Sequence, residues 1–183
     1  MSSIIVGSKP LHPATVHFPI AFLTTSWALD LLYSAVTNVL PKSNFLAKSL
    51  SPHLPTLTVI SHYSLALGIL SGVVSIVTGG AQLSKMISNG GIYEADGKTM
   101  RPKVKTAFVH AGMNDVAILT AAFSWWVRRG NVDVLTGAVV PTSTNVLISA
   151  LSLPSLLYSA DLGGKLVYNY GVGLSMGKKG KAN

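Results

Sequence analysis

The sequence predicts an all-α integral membrane protein, a four-helix bundle with both termini on the same, cytoplasmic or matrix-like, side. Two observations carry that expectation. Of 183 residues, 49% are hydrophobic and only 11% charged, against about 25% charged in an ordinary soluble domain, and mean hydropathy is +0.48. The apolar residues also gather into four segments, each near the ~20 residues needed to cross ~30 Å of hydrocarbon.

The whole chain, 1–183, reads as one membrane domain. Span one covers about 16–40 and opens in LHPATVHFPIAF, where two histidines and two prolines stand at the mouth of an apolar run. Span two covers 57–79, span three 106–127 and span four 143–162, where Pro154 predicts a kink. The longest connection, 80–105, contains YEADGKTM, and its Asp-Gly step predicts a small hairpin turn. The end, 176–183, reads as a disordered basic tail. No cleavable apolar leader and no arginine-rich transit segment is evident.

Four spans place Lys9, Lys85, Lys98, Arg101, Lys103, Lys105, Lys165, Lys178, Lys179 and Lys181 on the terminal side. Lys42, Lys48, Arg128 and Arg129 fall on the other. Basic loops stay inside, so the termini face the cytoplasm or a matrix. A bacterial-type plasma membrane and a mitochondrial inner membrane both suit this reading. The net charge of +8 follows topology rather than a nucleic-acid footprint, so the expected partner is lipid and not nucleic acid. Absence of cysteine excludes disulfides, thiolate metal sites, cysteine-held clusters and c-type haem attachment. No nucleophile–base arrangement, phosphate loop or dinucleotide fingerprint is visible, so the sequence assigns no enzymatic activity.

Ionisable groups inside spans are functional candidates because their burial must be compensated. His12, His17, His110 and Asp161 lie towards the terminal side, Asp30 and His62 towards the other. His17 shares a helical face with Ala21, Thr24, Ala28 and Ala35, and His110 shares one with Asn114, Ala117 and Ala121. Small residues mark helix contacts in membranes, so both faces are expected to turn inward. Ser64, Gly68, Gly72 and Ser75 form a third small stripe, a seam within the bundle or between the copies of a homodimer. Asp161 and Lys165, four residues apart, are expected to pair.

LHPATVHFPIAFLTTSWALDLL, KTAFVHAGMNDVA and LGGKLVYNYGVGL together resemble domain-of-unknown-function family 2231, predicted four-helix membrane proteins of bacterial type. The resemblance covers about residues 10–175. It implies that His12, His17 and His110 occupy histidine positions of the family. It also implies a membrane redox setting, with a redox protein as possible partner, because relatives are joined to Rieske-type or cytochrome-like domains.

Two imidazoles on facing helices can ligate haem iron, and a non-covalent b-type haem needs no cysteine. The sequence points to His17 and His110 as the axial or metal-binding pair. His12 is the alternate to His17, and Asn114 or Asp161 could orient a ring. Electron transfer or haem handling would follow. Two other readings stand beside it. In one, the protein is a non-catalytic scaffold whose polar residues lock helix packing. In the other, it is a small proton or ion transporter using Asp30, Asp161 and the histidines.

Overall fold

A computed structural model describes residues 5–6 and 9–173, with side chains from residue 11 onward; the expected basic tail, 176–183, lies outside them. After a two-residue antiparallel pairing of Ile5–Val6 with Lys9–Pro10, the described chain is helical. The helices are α1 (His12–Thr15), α2 (His17–Ser34), α3 (Phe45–Leu50), α4 (Leu54–Gly90), α5 (Pro102–Arg128) and α6 (Ser143–Tyr168).

Local chemistry sets the boundaries. Prolines sit in the first turns of α1, α4 and α5, where a missing amide hydrogen costs no bond. The α2 helix closes in a π-turn, Ala35–Val39. Asn44 caps α3 by accepting from the Leu46 amide. Thr142 and Asn145 cap each other reciprocally at the start of α6. That helix runs through Pro154 as one element. Gly91 ends α4 at φ +71°, a conformation that favours glycine.

The four long helices alternate in direction. Leu23 packs on Gly68 and Gly72 on Ile118, while Asn145 bonds Ser124 at one end of α5–α6 and His110 bonds Ser159 towards the other. Around the bundle the order is α2, α4, α5, α6, so α2 and α5 stand diagonally opposite. Leu23, Trp27, Leu65, Ala117, Ala121 and Leu156 form the buried centre. The stretches His12–Val39, Phe45–Gly90 and Ser143–Tyr168 are each long and apolar enough to cross a membrane. The fourth long helix, α5, carries His110, Asn114 and Asp115 near its middle and is less apolar, yet it packs between α4 and α6.

Three expectations change. Span two does not end near 79: α4 has 37 residues, about 55 Å at 1.5 Å each, and the following connection shrinks to 91–101. In that connection Tyr93 bridges Met100 and Gly97 takes φ +67°, which makes a turn at Asp96-Gly97. The Ser64, Gly68, Gly72 and Ser75 stripe is buried inside the bundle, where Leu23 and Ile118 fill the space at its glycines. A homodimer cannot use that seam. The third change concerns span one, whose inward face is Pro19, Leu23, Ser26, Trp27 and Asp30. His17, Ala21 and Ala28 are exposed.

Candidate histidine site and its opposite pole

Polar side chains collect at both ends of this apolar bundle. At the terminal end His12, from α1, meets His110, from α5. Their ring centroids are 6.5 Å apart and the planes stand at 81°. Each ring is fixed by a bond from one nitrogen. His110 Nδ1 lies 2.8 Å from the Ser159 carbonyl oxygen, which can only accept, so Nδ1 carries the hydrogen. His12 Nδ1 lies 3.2 Å from Thr78 Oγ1. The Thr78 hydroxyl has helix carbonyls at Val74 and Ser75 to donate to, which leaves its lone pairs to accept from His12. In the neutral rings both Nε2 atoms are then acceptors.

Glycines make room for the rings. A Cβ on Gly79 would stand 2.7 Å from His12 Cε1, and one on Gly163 would stand 3.0 Å from His110 Cε1. Residues of α1, α4, α5 and α6 thus meet at this level. Asn114 bonds the His110 carbonyl at 2.7 Å and Ser159 Oγ at 2.8 Å, with its amide 3.4 Å from His110 Nε2.

The expected pairing of His17 with His110 is therefore replaced. His17 is exposed in the first turn of α2, and the ring that meets His110 is that of His12. Asp161 is exposed as well and pairs with Lys165 at 2.7 Å, away from either imidazole. Among the described residues, no group of three or more His, Cys, Asp or Glu is arranged to hold a metal ion.

At the opposite end lies a cluster whose central pair the sequence reading did not assemble. Arg128, counted there as a loop charge, is fully buried, as is Asp30, and the two are joined at 2.6 Å. Ser61 Oγ donates to Asp30 Oδ1 at 2.6 Å and Ser149 Oγ to Oδ2 at 3.1 Å. The rest of the guanidinium donates to Ser61 Oγ and to the Thr58 and Val139 carbonyls. Residues of α2, α4, α5 and α6, and the 129–142 connection, are tied together by one ion pair. With every bond direction satisfied, the cluster is a clasp rather than a vacant site. The signal for it was present: an aspartate and an arginine at the same depth of one bundle, each costly alone.

His62 sits nearby but outside this network. It is half-buried, stacks on Trp125 at 5.8 Å and 15°, and its buried Nδ1 has no hydrogen-bond partner. Trp126 is exposed and carries the Arg129 guanidinium 3.4 Å over its ring, an arrangement suited to a membrane boundary.

No curated protein and no solved structure matches the chain. A family model does, over residues 8–176, and its description agrees with the long apolar helices. The chain is a multi-pass integral membrane protein and belongs to the family described as "Predicted membrane protein (DUF2231)".

Proposed function

We propose that this protein binds a b-type haem through His12 and His110 and serves electron transfer or haem handling at the terminal end of the bundle. The observation that carries the reading is the His12–His110 pair itself: two rings from α1 and α5, each fixed through Nδ1 and each seated against a glycine. A ring held by its Nδ1–H offers Nε2 as a ligand of fixed direction. The ring centroids stand 6.5 Å apart, and Nε2 of each ring is the atom that would hold the iron.

The size of the donor set favours haem over a bare ion. A structural zinc site takes four protein ligands, whereas a haem brings its own equatorial nitrogens and asks the protein for only one or two axial ones. When bound, haem iron supplies one-electron chemistry. The chain's own contribution is to hold the imidazoles and, with Asn114 beside His110, to set the polarity around that ring. Lys103 and Lys105, at the start of α5, suit the carboxylates of such a group.

The test is an absorption spectrum of detergent-purified protein expressed with ample haem supply, oxidised and then reduced. The reading expects a Soret band that is lost in His12→Ala and in His110→Ala. A colourless, folded wild-type protein would contradict it and favour the scaffold reading, in which the same side chains only lock the helices.

A further inference from the structure

The face that was expected to turn inward on α2 turns outward, and it carries an ionisable group. So does the outer face of α5. His12 and His110 meet at one level, and α2 and α5 run in the same direction. Five residues on from His12 the chain enters α2 at His17, and five residues on from His110, about 7.5 Å along α5 at 1.5 Å per residue, stands Asp115. Both are exposed, and neither has a hydrogen-bond or ion-pair partner among the described residues. Asp115 is at the centre of α5 (Pro102–Arg128). An aspartate at the middle of a membrane helix is costly to insert, so its usual place is against a partner.

The geometry also names the partner. Diagonal helices of one direction are related by about half a turn around the bundle axis. Five residues separate each pair, and the two exposed side chains stand on diagonally opposite helices of one direction, so His17 and Asp115 face away from the bundle on different sides. A second copy displaced sideways in the bilayer brings its Asp115 to the first copy's His17. Beside His17 the exposed surface carries Ala21 and Ala28 together with the larger Phe18. Beside Asp115 it opens at Gly112, where an added Cβ would meet nothing. The small residues within these faces, Ala21, Ala28 and Gly112, are of the kind that lets membrane helices approach, and Phe18, Val116 and Leu119 supply apolar surface around them.

We propose that the outer faces of α2 and α5 form a head-to-tail interface between copies of this chain, in which Asp115 of one protomer pairs with His17 of the next. Such a contact is heterologous, so repetition gives a ring or a row in the membrane plane rather than a closed two-fold dimer. It leaves the His12–His110 pair untouched, and so stands or falls independently of the haem reading.

The absence of native cysteine makes the test direct. Ala21→Cys and Leu119→Cys place thiols on exposed positions one turn deeper than His17 and Asp115. In native membranes under mild oxidant, the double variant is expected to give a ladder of dimers, trimers and larger species. Neither single variant should cross-link, and adding Asp115→Asn to the double variant should reduce the ladder at least fivefold. A dimer from Ala21→Cys alone would reveal a two-fold interface and overturn the proposal. So would a double variant that stays monomeric while folded, by its unfolding transition in detergent, or a ladder that Asp115→Asn leaves unchanged.

Discussion

At the scale of single residues, the Asp30–Arg128 pair sets the largest expected effects. Both groups are fully buried and satisfied, so removing one leaves an uncompensated charge. Arg128→Leu is expected to destabilise the protein by about 3–5 kcal/mol, and the double change Asp30→Leu with Arg128→Leu by much less. Thermal unfolding in detergent compares them; a double variant as unstable as the single one would remove the charge argument. The glycines of the seam divide in a similar way. A Cβ at Gly68 would meet Leu23 Cγ at 2.8 Å and its backbone nitrogen at 3.3 Å, whereas one at Gly72 meets only the Ile118 side chain. Gly68→Ala is expected to cost about 1–3 kcal/mol and Gly72→Ala less, because Ile118 can rotate away; the same unfolding assay ranks them. These glycines were legible in the sequence as packing residues. Which neighbour each receives was not, because a small-residue stripe specifies closeness without naming the partner.

At the scale of elements, the four helices were readable from their apolar runs, but their rotation was harder. In lipid the outward face is as apolar as the inward one, so hydrophobicity does not choose a side. The small face through His17, Ala21 and Ala28 suggested inward packing, yet it is exposed. Asp30 held the better clue. At about 100° per residue, His12 is in phase with Asp30, Leu23 and Pro19 nearly so, and His17 roughly opposite. The most polar residue of the helix fixes its inward face, and that rule selects His12. Among the connections, Asp133 shapes the turn before α6. Its carboxylate accepts from the Thr136 amide and hydroxyl and the Leu135 amide, which holds it below the usual carboxylate range. A depressed value means that the stability is present above the unfolded carboxylate's pKa and is lost as pH falls through the lower folded value. The Thr136 amide resonance is therefore expected to shift only below the ordinary aspartate range. A midpoint at the ordinary value would show that the turn's bonds are absent in solution.

At the scale of the whole molecule, composition was enough to place the chain in a membrane, and the alternating helices confirm a bundle. The charge asymmetry sharpens once Arg128 is seen to be buried, leaving Lys42, Lys48 and Arg129 as the exposed basic candidates on the far side. That imbalance is the basis for expecting the termini on the cytoplasmic or matrix-like side. In this cysteine-free chain, an impermeant thiol reagent added from outside is expected to label Leu135→Cys and to spare Lys98→Cys; the reverse pattern would invert the topology. The histidine pole is where sequence and structure part most, since the reading weighed His17 first and the geometry joins His12 to His110. The measurement that tests the account most directly is the reduced-minus-oxidised spectrum of His12→Ala beside His17→Ala, purified identically. The account predicts a haem signal abolished in His12→Ala and intact in His17→Ala. A signal that survives in His12→Ala and vanishes in His17→Ala would contradict it.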